Sequence, residues 1–331
     1  MKVIFFGTPE FAVPTLDKLL SNPKFEVVAV ITQPDKPKGR GKQVISPPVK
    51  SFAMGHNLPV LQPQRLKKDT ETLIQLKTSS ADVFVVVAYG QILSSQILDI
   101  PTLGCINIHG SILPQYRGAA PIQWSICDGK QETGITTMLM DSGMDTGAIL
   151  LMEKTAIGLL DNAHDVAERL ASLGADLLIE TLVRLEQGKI KAVNQDHTAA
   201  TYAPLIKKED YQLDWSQTAI TIHNKIRGFH PNCVTDFRHQ SLKVMSTVPI
   251  GPRYWSLLPP RLQELERQIS DLSILSGNIG EIVKIAKGVG AIVQTGEGLL
   301  LLKQLQVSGK RPLSGWDFVN GMRLQVGEIL G

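Results

Sequence analysis

Cysteine is nearly absent: three in 331 residues, Cys105, Cys127 and Cys233, stand too far apart for a metal-ligand pattern or a disulfide framework. A chain without disulfides fits a reducing compartment. Long apolar runs are also missing, since none approaches the ~20 residues that span a bilayer. After Lys2 the chain enters an apolar run directly, without the basic region and small-residue cleavage site of a secretory leader. Charge of one sign is scarce: the formal net charge is +3, and basic and acidic residues stay near balance in both halves. That excludes a bulk polyanion binder, so a nucleic-acid partner would have to be met by a local patch. The turn after the first apolar run reads Gly7-Thr8-Pro9-Glu10-Phe11, not G-x-G-x-x-G, so the usual sign of a dinucleotide site is lacking. These absences lead us to expect a soluble cytoplasmic protein with no membrane partner and no metal, most simply a monomer.

What is present suffices for two cores, with 43% hydrophobic residues. Val3–Phe6 and Val27–Thr32 read as buried strands. Between them Pro9–Leu20 carries Val13, Leu16, Leu19 and Leu20 at helical spacing, and this β-α-β opening predicts a parallel sheet. Pro48–Gly55 and Thr70–Thr78 read as helices, Pro59-Val60 as a short edge strand and Asp82–Ala88 as a central strand. Cys105–Ile108, Ile135–Met140 and Ala148–Glu153 are further strands; Ala119–Cys127 and the amphipathic Asp165–Glu186 are helices. Gly188–Ala203 reads as a polar connector. Beyond it, Ser216–Arg227 has helical spacing with Ser216 as the expected N-cap. Five short strand-like runs follow: Cys233–Phe237, Leu242–Ser246, Gly280–Lys284, Ala291–Gln294 and Leu299–Gln306. Pro249–Ser276 fits neither pattern and reads as an insertion. The expected fold class is α/β: a Rossmann-like, mostly parallel sheet domain (1–188), a linker (189–208) and a smaller OB-like β-barrel domain (209–331) carrying an insertion at 249–276.

Two stretches carry the candidate chemistry. Asn107 and His109 sit two apart at the end of a strand, so they project from one face, and Gly110 and Pro114 then turn the chain away. Asp145 lies in the glycine-flanked loop Asp141–Gly147 after the Ile135–Met140 strand. An amide, an imidazole and a carboxylate at sheet ends suit acyl transfer without an obvious covalent nucleophile. Taken singly, a strand-end histidine is commonly structural and a loop aspartate commonly forms an Asx-turn. Ala88, Tyr89 and Gly90, at the carboxyl end of the expected central strand, are candidates for a pocket wall. Gln33–Lys50 breaks the periodic pattern with prolines, glycines and five basic residues against Asp35 alone. It reads as an irregular loop, either simply solvated or an arm for a phosphate backbone.

The order of motifs resembles the folate-dependent formyltransferases: Asn107-Ile108-His109, then Ser111-Ile112-Leu113-Pro114-Gln115-Tyr116-Arg117-Gly118, then Asp141-Ser142-Gly143-Met144-Asp145-Thr146-Gly147. F-F-G-T-P-E-F at the start, the loop Q-P-D-K-P-K-G-R-G-K, V-V-V-A-Y-G-Q-I-L and I-R-G-F-H-P-N extend the resemblance to members acting on a tRNA-borne amine. It implies 10-formyltetrahydrofolate as donor and the α-amine of initiator methionyl-tRNA as acceptor. It assigns catalysis to Asn107, His109 and Asp145, and folate contacts to Ser111, Ile112, Leu113 and Pro114. The loop residue Arg40 would reach the acceptor end of the tRNA, Lys36, Lys38 and Lys42 its phosphates, and the second domain the acceptor arm. Arg117 would meet the folate tail or form a structural pair. Asn107 would donate to a developing oxyanion. His109 would stabilise that charge or protonate the leaving nitrogen, and Asp145 would hold His109 or take the amine's proton. Alternative acceptors are another small amine, such as a glycinamide nucleotide or an amino sugar, or water. A protein that only binds RNA would have no need of the Asn107–His109–Asp145 set.

Overall fold

The computed structural model describes residues 1–38, 43–269 and 275–331. It divides into two compact units. One holds Met1–Pro121, Thr133–Thr155 and Ala167–Ala203; the other holds Ile122–Glu132, Ala156–Val166 and Pro204–Gly331. The chain opens with β1 (Lys2–Gly7), α1 (Val13–Leu20) and β2 (Glu26–Ile31). Next come β3 (Lys36–Lys38), β4 (Gln43–Ile45), α2 (Pro48–Gly55), β5 (Val60–Leu61), α3 (Thr70–Thr78) and β6 (Val83–Val87). They are followed by α4 (Ser95–Leu98), β7 (Cys105–His109), β8 (Arg117–Gly118), α5 (Pro121–Cys127), β9 (Glu132–Leu139), β10 (Ile149–Ala156), α6 (Ala163–Glu186) and β11 (Tyr202–Ala203).

The first unit is built on a seven-stranded sheet in the order β10-β9-β7-β6-β1-β2-β5. The pairs β5–β2, β2–β1, β1–β6 and β6–β7 are parallel, and β9 turns antiparallel to β7. All five residues of β6 are buried, which is why V-F-V-V-V occupies the middle of the sheet rather than an edge. Helix α6 lies close against the sheet at Gly174, where a Cβ would come within 3.0 Å of Ile108 and 3.1 Å of Ile135. That close approach backs β7 and β9, the strands that lead to the candidate site. Thr181 of α6 and Thr137 of β9 share a hydroxyl hydrogen bond of 2.8 Å beneath it.

Two expectations for this unit need correction. The segment 33–50 is not wholly irregular: β3 and β4 pair antiparallel, with Lys36 opposite Ile45 and Lys38 opposite Gln43. Pro37 is tolerated because the two-stranded ribbon has only edges, where a missing N–H leaves no ladder gap. The segment read as a polar connector, 188–203, belongs to the first unit: Val193 bridges Ile149, and β11 adds parallel to β8. Its polarity misled because its polar side chains are used for internal hydrogen bonds.

The second unit continues with α7 (Ala219–Gly228), β12 (Val234–Phe237), β13 (Gln240–Ile250), α8 (Pro252–Trp255), α9 (Pro260–Gln268), β14 (Ile282–Ala286), β15 (Gly290–Gln294), β16 (Leu299–Val307), β17 (Leu313–Ser314) and α10 (Gly315–Met322). The sheet runs β12-β13-β16-β15-β14, with β17 on β16, and these strand pairs are antiparallel. Its two edges are joined by the tail: the Ile282 and Gly331 amides donate to the carbonyls of Glu328 and Asp236, and Arg238 forms an ion pair with Glu328. Trp215, Ile222, Phe229, Phe237, Leu300 and Phe318 are among the residues of the enclosed core.

β13 is longer than the sequence pattern predicts. Register shifts around Ser246 break the period-two alternation, and Pro249 reads as a stop although the pairing continues to Ile250. The expected cap of α7 moves from Ser216 to Thr218, whose hydroxyl accepts from the Thr221 amide, while Ser216 is held by Asp214. The stretch read as an insertion contributes buried side chains: Trp255, Leu258, Leu262, Leu265 and Ile269 cluster with Val248, Ile292 and Leu301. Residues 270–274 of that stretch lie outside the described residues.

One buried polar residue gives this unit a pH dependence. His223 is 2% exposed; its Nε2 donates to the Leu159 carbonyl at 2.8 Å, and its Nδ1 accepts from the Thr247 hydroxyl at 2.9 Å. Burial pushes its pKa down from 6.5 to about 4, against the opposing Leu159 hydrogen bond and with smaller downward contributions from the Arg227 and Lys303 charges. Between those values the unfolded chain holds a proton that the folded one does not. Stability should therefore be full above pH 6.5 and fall as the pH drops towards 4, by roughly 3 kcal/mol in all. Trp124, Trp215, Trp255 and Trp316 all belong to this unit, so denaturant titrations followed by tryptophan fluorescence report on it. His223→Gln, which keeps a donor for Leu159, should flatten the slope; an unchanged slope would move the titration to another group.

Candidate active site

The site forms where β7 ends and the loop after β9 returns. Asn107 is half-buried on β7, between Val86 of β6 and Met138 of β9 in register. No hydrogen bond engages its amide among the described residues. His109 is buried, 5% exposed, and its Nε2 lies 2.9 Å from the Tyr116 carbonyl. A carbonyl only accepts, so Nε2 carries hydrogen and the neutral ring leaves Nδ1 bare. Nδ1 faces Asp145, 3.7 Å from Oδ2.

Asp145 is held from several directions. Its Oδ2 accepts the Gly118 amide at 2.8 Å, and its backbone sits at φ 53°, a left-handed conformation that aspartate tolerates better than most residues. Its side chain is 17% exposed, and Oδ1 has no hydrogen-bond partner among the described residues. The Asx-turn anticipated for a loop aspartate is made by Asp141, which accepts the Gly143 amide and the Thr146 hydroxyl. That frees Asp145 from the structural task. Gly147 follows because a Cβ there would collide with the Leu139 carbonyl.

The turn 111–116 is fixed by threonines from both sides. Thr136 of β9 donates to the Ser111 carbonyl at 2.7 Å and accepts the Leu113 amide at 3.3 Å. Thr201 accepts the Tyr116 amide at 2.9 Å. Ser111 and Leu113 are buried, and the Ser111 hydroxyl is taken by the Gln115 carbonyl at 2.6 Å; only Ile112 and Pro114 present half-exposed side chains. Tyr89 packs its ring into the core against Phe6, leaving its carbonyl to accept from Thr8 and Gln33, while Ala88 and Gly90 on either side are exposed. So the side chains of Ser111, Leu113 and Tyr89 are enclosed and not open at the surface.

Arg117 is 2% exposed, and its guanidinium is engaged inside the protein. Its Nε and Nη2 donate to Gln195 Oε1 at 3.1 and 2.7 Å, and Nη1 lies 3.2 Å from His197 Nδ1. Gln195 in turn donates to the carbonyls of Asp145 at 2.9 Å and Gly147 at 2.7 Å. Gln195, His197 and Thr201 went unrecognised in the sequence because the 188–203 stretch carries no periodicity.

In the basic segment, Lys36 is exposed on β3; Arg40 and Lys42 lie outside the described residues, and of Lys38 only the backbone is described. The base of the β3–β4 ribbon is tied by Asp35, which accepts from Lys50 at 2.7 Å and Gln62 at 2.8 Å. Hydrogen bonds from Gln62 and then Lys50 hold its carboxyl below the usual carboxylate range.

A mostly parallel sheet whose strand ends gather an amide, an imidazole and a loop carboxylate, joined to an antiparallel second unit, is an architecture with known relatives. The chain belongs to the formyl transferase family: residues 1–182 match Formyl transferase and residues 205–323 match Formyl transferase, C-terminal domain. Among curated proteins it is 65% identical over 331 residues to the methionyl-tRNA formyltransferase of Trichormus variabilis, covering 100% of this chain and 99% of that one. The methionyl-tRNA formyltransferase of Trichodesmium erythraeum is 64% identical over 329 residues, covering 99% of this chain and 98% of that one. Among solved structures, the sugar 3N-formyl transferase WlaRD, crystallised with dTDP and 5-N-formyl-THF, aligns with a TM-score of 0.66. It is 20% identical and covers 94% of this chain and 99% of that one, a likeness of fold. Among the described residues no helix is long and apolar enough to cross a membrane.

Proposed function

We propose that this chain transfers the formyl group of 10-formyltetrahydrofolate to the α-amine of initiator methionyl-tRNA. Identity above 60% to methionyl-tRNA formyltransferases over the full length supports the substrate pair. The observation that carries the chemistry is the opposition of His109 Nδ1 and Asp145 Oδ2 on a strand end that also presents the unpartnered Asn107 amide. Attack of the neutral amine on the formyl carbon forms the new C–N bond and develops negative charge on the formyl oxygen; collapse breaks the bond to N10 of the folate, which leaves taking up one proton as the amine loses one. The Asn107 amide is the donor suited to that charge. Nε2 of His109 is occupied by the Tyr116 carbonyl, so any proton His109 takes up or gives goes through Nδ1, beside Asp145. The open Oδ1 of Asp145 is the base placed to accept the proton lost by the amine, directly or through one water. Ile112 and Pro114, with the backbone of Ala88–Gly90, are the surfaces offered to the folate.

The test is transfer of labelled formyl from 10-formyltetrahydrofolate to charged initiator tRNA, with charged elongator tRNA, glycinamide ribonucleotide and buffer alone run beside it. Label should move to the initiator tRNA; label on the small amine or released to water would overturn the acceptor assignment and keep the site. In the same assay Arg40→Ala should lower kcat/KM for methionyl-tRNA by about tenfold or more, the value of one charged hydrogen bond, and leave folate binding unchanged. Unchanged tRNA kinetics would remove Arg40 from the acceptor contact.

A further inference from the structure

We propose that Gln195 is a positioning residue for this reaction: with Arg117 it ties the backbone that orients His109 to the loop that presents Asp145. The inference rests on the function proposed above. Its basis is the use of every hydrogen-bonding position of one buried amide. Gln195 is 6% exposed; its Oε1 accepts two donors from Arg117, and its Nε2 donates to two carbonyls of the Asp145 loop. Arg117 follows Tyr116, whose carbonyl fixes His109 Nε2, so the guanidinium continues the same backbone turn. Gly118, the next residue, donates its amide to Asp145 Oδ2. The His109 anchor, the Asp145 anchor and Gln195 are thus joined through three consecutive residues, Tyr116, Arg117 and Gly118, and one side chain.

A role confined to packing would not need this arrangement. Arg117 is a fully buried cation with no carboxylate partner among the described residues, a costly choice where an apolar side chain would fill the space. Its fixed fork accounts for the choice: Nε and Nη2 meet one oxygen and set the plane of the Gln195 amide. That plane aims Nε2 at the Asp145 and Gly147 carbonyls, and through them sets where the Asp145 carboxylate stands relative to Nδ1. Displacements on the order of 1 Å between reacting groups cost about 10²-fold in rate.

Gln195→Glu separates the two halves of the device. It keeps two acceptor positions for Arg117 and gives it an ion pair, so the fold is retained, but it turns an oxygen towards two carbonyls that need a donor. The expected result is a kcat about 10²-fold lower, with KM for folate and for methionyl-tRNA within twofold of the parent. Arg117→Lys is the second variant. It keeps a buried cation but replaces the planar fork by a single ammonium nitrogen, and should lower kcat about tenfold with the same unchanged KM values. Parent-like kcat in either folded variant, or a loss seen only in KM, would overturn the positioning role while leaving the proposed reaction standing. A parent protein that fails to formylate methionyl-tRNA would overturn both. A kcat loss in Gln195→Glu that is undone by restoring a donor at this position with Gln195→His, which can point a ring N–H at the Asp145 loop, would support it further.

Discussion

Asp145→Asn should give a folded protein whose kcat for formyl transfer is lower by about 10³-fold. The amide oxygen can stand where Oδ2 stands and still accept the Gly118 amide, whereas the flipped amide would set a donor against that N–H. The left-handed backbone at Asp145 suits asparagine equally well. Loop and fold are therefore retained. What is lost is the charge facing Nδ1 of His109 and an oxygen able to accept the amine's proton. Because the Tyr116 carbonyl keeps Nε2 as the protonated nitrogen, His109 has no second face on which to compensate. Folate and methionyl-tRNA binding should stay within a few-fold of the parent, measured by equilibrium binding. Collapse of folate binding in a well-folded variant would make Asp145 a wall of the pocket instead of part of the proton path.

Asn107→Ala should lower kcat by about 10²–10³-fold, the usual cost of deleting one oxyanion donor. The expected stability change is small, and this separates the residue from its neighbours. Its amide engages no partner, so truncation orphans no buried group. KM for both substrates should be nearly unchanged if the amide acts only as charge develops. A rise in KM with preserved kcat would show that Asn107 binds the ground state.

The sheet was legible because its strands are apolar runs between turn residues: V-F-V-V-V at 83–87 could hardly be placed anywhere but the middle. The same reading put Asn107 and His109 on one face of β7, which the alternation of strand side chains requires. It was less good where polarity has an internal use. Gly188–Ala203 carries no apolar period, yet Gln195 and Thr201 are bonded to residues from 116 to 147, contacts made by amides and hydroxyls that hydrophobic patterning does not register. Arg117 is a residue on which the sequence was undecided. The sequence left it between a folate contact and a structural pair; the side chain is buried and bonded to the Gln195 amide, with no carboxylate partner among the described residues. In the second unit, five runs marked the strands, while the bulge near Ser246 and Pro249 hid the second half of β13. Residues 249–269 looked foreign because their apolar side chains pack with sheet residues such as Val248, Ile292 and Leu301 in a cluster separate from the main core.

The hydrogen bonds that organise the site join residues far apart along the chain. Arg117 and Gln195 are separated by 78 positions, Tyr116 and Thr201 by 85, Gln195 and Asp145 by 50. Closing loops of that length costs entropy that no local helix or hairpin returns, so these contacts form only on a sheet already assembled. We therefore expect the proposed His109–Asp145 arrangement to be completed late in folding. A chain can hold all of its helices and most of its strands and still lack a working His109–Asp145 pair, so secondary structure alone is a poor measure of how much of a preparation is competent.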